Sequence, residues 1–465
     1  MANENLNDLT KEELIELCDE MGFMVMCENF DEWDIAKCEN GYHRFFNQDS
    51  GNGVIWAERD MMNMLHHFRN NASVVMWSIG NEVPSQWKEE GVKVAAWLQG
   101  LCHQEDPTRP VTCGMDQYNS VVLNGFAEQL DIVGFNYHEM DYDSVRVWYP
   151  GMPFIGAETA SSLNSRGFYH HSSTEELIIP ERWDLPYDTE HHQCSAYDHS
   201  RAPWGTLHEK AWVAVRDRDY CAGTFVWTGF DYIGEPTPYS WPSRSSYFGI
   251  VDLCGFPKDC YYMYRAEWTR HTTLHLFPHW NWQEGDVVDM WAYYNNADEV
   301  ELFVNGRSMG RSKKTSERLH AIWEGVPFEA GVIEAVSYKG GKEVARHKRV
   351  TAGEPARVTL TADRTRLSAD GYDLAFITID CVDRDGNFVP TAMNQLYFEV
   401  VGAGELAGVD NGNAAGMESL KGSSMKLFNG KALAIVRTLR GVKGAITLKV
   451  TGEGVESAEI TLSAK

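Results

Sequence analysis

Short apolar runs alternate with amphipathic segments in the first half of the sequence. One amphipathic segment is 57–70, which places Met61, Leu65 and Phe68 on one helical face, and another is 206–218. The apolar runs are rich in β-branched and aromatic residues, as is typical of strands buried on both faces. They occupy 23–26, 74–79, 111–115, 132–138, 153–157 and 223–227. Strands that alternate with helices predict parallel β-α-β units.

The number of strands bears on the fold. The pattern predicts six strands, whereas a closed (β/α)8 TIM barrel has eight. The first predicted strand already begins at residue 23, after a helix whose Leu14, Leu17, Cys18 and Met21 recur at helical spacing. We therefore predict that 1–274 is a partial (β/α)8 barrel, with six of eight strands, that lacks its first two.

The pattern becomes all-β near residue 275. Alternating segments such as 289–294 and 299–304 are joined by turns, and Asn305-Gly306 is a strong hairpin signal. A second set of alternating segments begins near Pro355 and turns at Asp385-Gly386. Short strands at this spacing predict two immunoglobulin-like β-sandwich domains, 275–352 and 353–465.

Composition excludes several classes of protein. The 465 residues are 43% hydrophobic and 23% charged, which is typical of globular domains. A formal net charge of −26 argues against nucleic acid or an anionic membrane as a partner. No apolar run is long enough for a membrane span, and the opening residues contain no apolar signal core. The ten cysteines are interpreted as buried thiols, with Cys254 and Cys260 the one local pair able to form a disulfide.

Two glutamates stand at the carboxyl ends of predicted strands. Glu82 ends the apolar segment 74–82, and Glu158 ends 152–158. In a parallel barrel, residues at these strand ends face the active site. Two carboxylates in one pocket are the groups that glycoside hydrolysis requires. The alternative is that each glutamate only caps the helix that follows.

Three motifs carry a resemblance to a known family. The segments MWSIGNE (76–82), FIGAETASS (154–162) and FVWTGFDYIGEPTPY (225–239) together resemble glycoside hydrolase family 2, and within it the β-galactosidase-like bacterial branch. The β region resembles the same branch in LFPHWNW, VELFVNG, PARVTLTADR and GVDNGN. The resemblance runs from about residue 10 to the C-terminus and implies a bacterial enzyme of carbohydrate metabolism or polysaccharide degradation.

The resemblance implies roles for both glutamates. Glu82 would be the general acid/base, and Glu158 the nucleophile that forms a glycosyl-enzyme. A carboxylate separation of about 5–5.5 Å would correspond to retention of configuration. An ionised Glu158 would raise the pKa of Glu82, and its esterification would lower that pKa again.

The resemblance also implies a set of substrate contacts. Asn81 would donate its amide to the sugar 2-hydroxyl, Tyr137 would orient the nucleophile, and the indole of Trp227 would form the floor of the sugar subsite. For each of them, packing or turn formation is the alternative interpretation. The further candidates for binding sugar hydroxyls or rings are Asn136, His138, Asp231, Glu235 and Trp33.

We predict no metal and no cofactor. Glu28, Asp31 and Glu32 form an acidic group above the first strand, where oxygen ligands suit hard cations. However, no His follows at the spacing of the cation site found in some family members. The run HHQC at 191–194 lacks a second ligand pair at zinc spacing, which favours a loop near the pocket.

The resemblance leaves three functions open. The first is a retaining exo-β-glycosidase, a β-galactosidase, whose substrate is the end of an oligosaccharide or polysaccharide. A β-glucuronidase is the alternative enzyme, although no Asn-x-Lys carboxylate-binding motif lies in the barrel region after its last strand. The third is a non-catalytic carbohydrate-binding remnant, because family members carry two further barrel strands that supply an Arg and His residues. A homo-oligomer or a complementing N-terminal chain would be the partner, and the full-length family member would be periplasmic or extracellular.

Overall fold

The computed structural model describes residues 11–170 and 173–465, which form two compact units. The first unit comprises Met1–Ala160, Trp204–Thr206 and Ala211–Val226, and its first ten residues lie outside the described part. The second comprises Ser161–Pro203, Leu207–Lys210 and Trp227–Lys465. Each unit is described by itself.

The helices of the described chain fall mostly in the first unit. They are α1 (Lys11–Met21), α2 (His43–Phe46), α3 (Trp56–Phe68), α4 (Glu89–Glu105), α5 (Tyr118–Asn124), α6 (Tyr142–Trp148), α7 (His208–Arg216) and α8 (Asp259–Trp268). Short 3-10 turns occupy Pro84–Trp87, Ala127–Gln129 and Glu139–Asp141.

The strands run through both units. They are β1 (Val25–Glu28), β2 (Val74–Asn81), β3 (Val111–Met115), β4 (Val133–Asn136), β5 (Phe154–Ala160), β6 (Leu177–Ile178), β7 (Ser200–Arg201), β8 (Cys221–Trp227), β9 (Leu274–Phe277), β10 (Val287–Tyr294), β11 (Glu299–Val304), β12 (Arg307–Ser312), β13 (His320–Pro327), β14 (Val332–Lys339), β15 (Lys342–Val350), β16 (Arg357–Ala362), β17 (Arg366–Leu367), β18 (Leu374–Val382), β19 (Gln395–Gly402), β20 (Gly404–Asp410), β21 (Ser424–Lys426), β22 (Lys431–Thr438), β23 (Gly444–Gly452) and β24 (Val455–Ala464).

The first unit is a six-stranded sheet in the order β1-β2-β3-β4-β5-β8, and the strands from β1 to β5 pair in parallel. All six predicted apolar runs form these strands; β2 to β5 are largely buried, whereas β1 and β8 are only partly buried. The predicted face of α3 is buried at Met61, Leu65 and Phe68. The partial barrel, with β-sandwich domains after it, is confirmed.

The first helix differs from its prediction. Only Ile15 of α1 is buried, while Leu14 is 50% exposed and Met21 68% exposed. Met24, just before β1, is 74% exposed. The apolar residues at helical spacing in α1 therefore lie mostly on the surface of the described chain.

The second unit contains the β-sandwich domains. The sheets β13-β10-β9 and β12-β11-β14-β15 enclose a core that includes Trp280, Met290 and Leu302. The sheets β20-β22-β18-β16 and β24-β23-β19-β21 enclose another core and are joined by one parallel pair, Arg357 with Glu456. The exact boundaries at 274 and 352 remain predictions.

All ten cysteines are free thiols, so the Cys254–Cys260 disulfide is not formed. Within 11–170 and 173–465, no helix is long and apolar enough to cross a membrane.

Candidate active site

Parallel pairing brings the ends of β2, β3, β4 and β5 together. Asn81 is paired with Gly114 in β3, Gly114 with Gly134 in β4, and Asn136 with Glu158 in β5. A side chain at position 114 could not be accommodated, since its Cβ would lie 2.5 Å from Asn81 Oδ1 and 2.9 Å from Asn136 Oδ1. The glycine thus allows the two asparagine side chains to meet across the strand between them.

Asn136 connects the residues at the end of β2. Its fully buried amide donates from Nδ2 to Asn81 Oδ1 at 2.8 Å and to Glu82 Oε1 at 3.1 Å. These two bonds hold both side chains in place. Because Oδ1 of Asn81 is occupied, its Nδ2 group, which has no partner among the described residues, is the end able to donate to a ligand. The contact predicted between Asn81 and a sugar hydroxyl needs that group.

Glu158 is held by Tyr137. The phenol donates to Glu158 Oε2 at 2.7 Å, and the Tyr137 amide donates to the Glu158 carbonyl at 2.7 Å. This is the contact that an orienting role for Tyr137 requires. The two glutamates therefore have separate supports: Asn136 contacts Glu82, and Tyr137 contacts Glu158.

The backbone at these strand ends is strained. Glu82, Tyr137, His138 and Ala160 have φ values of 45°, 58°, 56° and 72°, in the left-handed region that side chains other than glycine rarely adopt. Such residues persist where the surrounding structure enforces them, and they cluster at functional sites. At the end of β5, the buried Glu139 carboxylate enforces the conformation by accepting from the Ala160 amide at 3.0 Å and the Thr206 hydroxyl at 2.8 Å.

Lys37 is a site residue that sequence reasoning missed. Its Nζ lies 2.8 Å from Asp31 Oδ1, 3.3 Å from the Asn81 carbonyl and 3.8 Å from Glu82 Oε2. The lysine is in a loop between β1 and α2, where neither periodicity nor a motif marks it. It is a positive charge beside the candidate acid/base.

Burial determines the protonation of both glutamates. It raises the pKa of Glu82, and the nearby Asp116 charge raises it further, against the opposing effects of Asn136 and Lys37. Burial likewise raises the pKa of Glu158 to about 8; the Glu82 charge acts in the same direction, and the Tyr137 hydrogen bond opposes it. The pair therefore binds protons at a pH where exposed carboxyls are ionised.

The Glu158 carboxyl should make stability depend on pH. Its pKa is about 8 in the folded chain and ordinarily 4.5. The folded chain thus keeps a proton that the unfolded chain loses, so this contribution is fully present below pH 4.5 and is lost as the pH rises towards 8. We expect Glu158→Gln to be more stable than the wild type at pH 8 by about 4 kcal/mol, and to be little different at pH 4.5. Urea unfolding across this range measures the difference.

The exposed Glu90→Gln provides the matched control for this measurement. Its unfolding free energy should follow that of the wild type at each pH. A Glu158→Gln curve parallel to the wild-type curve would contradict the assigned direction of the pKa shift.

The acidic group after β1 is engaged by the protein itself. Glu32 is buried, which alone would raise its pKa, but it accepts from the backbone amides of His43 at 2.8 Å and Lys37, and its pKa is lowered to about 2. Glu28 accepts from Ser78 at 2.7 Å. Within the described ranges, no three His, Cys, Asp or Glu side chains are arranged to hold a metal ion.

Trp33 does not occupy a position for binding sugar. The indole has 0% exposure, donates to the Ile79 carbonyl at 2.9 Å and stacks on Phe126 at 5.8 Å. Its flat face is covered by the core, so the prediction of a substrate contact is corrected to a packing role.

His138 is half-buried beside Tyr118, at 4.5 Å between rings, and its Nε2 lies 3.1 Å from the Asp116 carbonyl.

The remaining candidates, Trp227, Asp231 and Glu235, belong to the second unit. The Trp227 ring lies 5.8 Å from Tyr232, and Glu235 accepts a hydrogen bond from the Tyr232 hydroxyl. Asp231 is buried and forms a 2.8 Å ion pair with Lys258, which is itself buried. Its carboxylate also accepts from the Gly249 amide, so the prediction of a hydroxyl contact is corrected to a structural ion pair.

A partial (β/α) barrel with two carboxylates at its strand ends is the architecture of a glycoside hydrolase. The sequence matches the glycosyl hydrolases family 2 TIM barrel domain over residues 10–171 and the glycoside hydrolase family 2 C-terminal domain 5 over 358–461. Residues 285–345 match a domain of unknown function. The chain belongs to glycoside hydrolase family 2.

Known proteins similar to this chain support the same family. Beta-galactosidase BoGH2A of Bacteroides ovatus is 45% identical over an alignment of 488 residues that covers 97% of this chain and 56% of that protein. A beta-glucuronidase of Bacteroides fragilis is 25% identical over 287 residues, covering 59% of this chain and 38% of that protein. The crystal structure of a beta-glycosidase from Bacteroides vulgatus has a TM-score of 0.84 at 31% identity and covers 97% of this chain and 58% of that one. The chain spans about half the length of the relatives it matches.

Proposed function

We propose that this chain carries the catalytic residues of a retaining exo-β-glycosidase that acts on terminal β-galactosides. The observation that carries the proposal is the placement of Glu82 and Glu158 at the ends of β2 and β5, each with its own hydrogen-bond support. Paired carboxylates with different environments can divide acid and nucleophile roles between them.

The reaction follows from these supports. Glu158 attacks the anomeric carbon and forms an ester bond, while the bond to the leaving oxygen breaks and that oxygen takes the Glu82 proton. Glu82 then removes a proton from water, which attacks the anomeric carbon and releases Glu158. Nucleophilic attack requires ionised Glu158. The Tyr137 hydrogen bond favours that form, but burial outweighs it and raises the pKa to about 8, so the reactive fraction increases as the pH rises towards 8. Asn81 would donate its free amide group to the sugar 2-hydroxyl.

The support for a galactoside is the 45% identity to a protein named a beta-galactosidase. The similarity to a beta-glucuronidase supports the alternative enzyme. A glucuronide carries a carboxylate and needs a cationic contact that a galactoside does not. No Asn-x-Lys motif occurs between β8 and residue 274 to supply one.

A second candidate function is that of a non-catalytic carbohydrate-binding remnant. It is favoured by two observations: β1 is an edge strand of the six-stranded sheet, and Met24, directly before it, is exposed. Closing a (β/α)8 barrel buries such an edge between neighbouring strands. A complementing chain that supplies strands there would restore an active pocket.

A panel of nitrophenyl β-glycosides tests all three functions. We expect the purified 465-residue chain, alone or mixed with a complementing N-terminal segment, to release nitrophenol faster from the galactoside than from the glucuronide or glucoside. Faster release from the glucuronide would establish the alternative enzyme. If neither preparation turns over any glycoside, the glycosidase functions are rejected and the non-catalytic, carbohydrate-binding function is favoured. If the chain alone is active as a monomer, no complementing chain is needed.

A further inference from the structure

The second unit contains a cavity that none of the proposed catalytic residues touch. It has a volume of about 420 Å³ and is lined by parts of the segments 166–169, 256–262, 275–280, 348–350, 387–390 and 429–431. Its size lies in the range of small-molecule sites, which extend from about 300 to 1,000 Å³. All of these segments belong to the same compact unit.

The walls of this cavity are positively charged in a chain of net charge −26. The lining includes four cationic side chains, Arg166, Lys348, Arg349 and Lys431, against one carboxylate, Asp259. Local charge of the sign opposite to that of the whole protein favours an anionic occupant.

Two of the lining cations are already paired with carboxylates of the protein. Arg166 is buried and pairs with Asp252 at 2.6 Å, and Lys431 pairs with Asp380. Asp259 accepts from the Tyr169 hydroxyl at 2.6 Å and lies 2.6 Å from His275 Nε2, but burial lowers the pKa of His275, so the carboxylate keeps its negative charge. The remaining charges of the lining are the two positive charges of Arg349 and Lys348 and the one negative charge of Asp259.

Arg349 has an unused hydrogen-bonding edge. Its Nε donates to the Leu276 carbonyl at 3.1 Å, but within 11–170 and 173–465 no carboxylate lies within 4.0 Å of its guanidinium. A guanidinium anchored at Nε can still present two N–H groups to a carboxylate in bidentate geometry. The exposed Lys348 has no ion-pair partner in the described chain and adds a second positive charge.

The uncharged groups of the lining suit a sugar ring. The Tyr262 ring stacks on His275 with centroids 3.6 Å apart, and the half-buried Phe388 lines the same cavity, whereas Trp280 belongs to the sandwich core at 1% exposure. Asn387 and Asn429 use their Nδ2 groups on Asp383 and the Arg166 carbonyl, so their Oδ1 atoms remain to accept hydrogen bonds from hydroxyls. Aromatic faces with a few convergent polar atoms are typical of ligand sites.

We propose that this cavity is a second saccharide-binding site, specific for a carboxylate-bearing sugar of one or two rings. Arg349 would bind the carboxylate, with Lys348 adding attraction, while the aromatic rings contact the sugar face and the two asparagine Oδ1 atoms accept from hydroxyls. This site is independent of the proposed glycosidase function, because it requires neither Glu82 nor Glu158.

Isothermal titration of the full chain with galacturonate and glucuronate tests the proposal. We expect saturable binding of at least one uronate, weakened at least about tenfold by Arg349→Gln because a charged hydrogen bond is lost. Galactose, which has no carboxylate, should bind more weakly by a similar factor. Arg346→Gln on the same strand is the matched control and should bind as the wild type does, since Arg346 is paired with Glu334 and Glu343 and does not line the cavity.

Lys348→Glu provides a second variant that leaves the buried contacts unchanged. It should weaken uronate binding several-fold while the urea unfolding midpoint stays at the wild-type value. Unchanged uronate binding in Arg349→Gln and Lys348→Glu would overturn the proposal, as would equal affinity for galactose or equal competition by acetate. Because the variants lie outside the candidate active site, they should leave any nitrophenyl galactoside turnover unchanged, which separates failure of this site from failure of the proposed hydrolysis.

Discussion

Glu158→Gln is expected to abolish turnover of every glycoside that a protein containing this sequence hydrolyses. The amide is nearly isosteric and can still accept the Tyr137 hydroxyl through its oxygen, but it cannot form the ester of the glycosyl-enzyme. Loss of a nucleophile typically lowers kcat by at least about 10⁴-fold. The effect is measured by steady-state kinetics on nitrophenyl galactoside. The assay uses the 465-residue chain alone if it is active, and otherwise the chain mixed with the complementing N-terminal segment.

The control for this experiment is a second buried carboxyl at a strand end. Glu28 ends β1, accepts from Ser78 at 2.7 Å and, because of burial, also has a raised pKa. Glu28→Gln makes the same chemical change outside the proposed bond-forming step, and we expect less than about a tenfold loss. Equal losses in both variants would assign Glu158 an electrostatic role instead. Urea unfolding of both variants at the assay pH shows whether an inactive Glu158→Gln chain is folded.

The sheet of the first unit could be predicted because its strands are short apolar runs, of which the inner ones, β2 to β5, are largely buried on both faces. Continuous apolar runs such as 74–79 are recognisable without knowledge of their neighbours. The stripe of α1 could not be assigned in this way. Leu14 and Met21 have helical spacing, which predicts a buried face, but spacing does not reveal what covers that face.

The site was only partly predictable because residue type does not determine contacts. Glu82 and Glu158 can be identified in the sequence because each ends an apolar run. Lys37 approaches Glu82 from a loop that has neither hydrophobic periodicity nor a motif. Trp33 and Asp231 have the residue types of sugar ligands. Their structural partners, the Ile79 carbonyl and Lys258, are 46 and 27 residues away and could be identified only from the fold.

The glycine at position 114 shows how the strand order makes the site. Asn81 and Asn136 come from β2 and β4, which are separated by β3, so their side chains can bond at 2.8 Å only because the residue between them has no Cβ. In the sequence this glycine lies within an apolar run and has no evident function. Its importance follows from the pairing of three strands, which is a long-range property.

Glu82→Ala is expected to separate substrates by their leaving groups. A dinitrophenolate departs without a proton, whereas the alcohol of a disaccharide needs one from Glu82. Turnover of the disaccharide should fall by about 10²–10⁴-fold, the range for general acid catalysis, while formation of the glycosyl-enzyme from the dinitrophenyl glycoside should be much less affected.

Azide tests the role of Glu82 as the general base that activates water. Without Glu82 no base activates water, so the glycosyl-enzyme should accumulate with the activated substrate. Azide attacks without losing a proton and fits the space left by the missing carboxylate. It should therefore accelerate release of the sugar and give a β-glycosyl azide. The retained configuration would indicate two displacements at the anomeric carbon. Equal losses on both substrates would remove Glu82 from the acid role, and an α-glycosyl azide would argue against a glycosyl-enzyme on Glu158. Asn136 donates to Glu82 at 3.1 Å and would remain bonded to Asn81, so the site around the deletion should keep its shape.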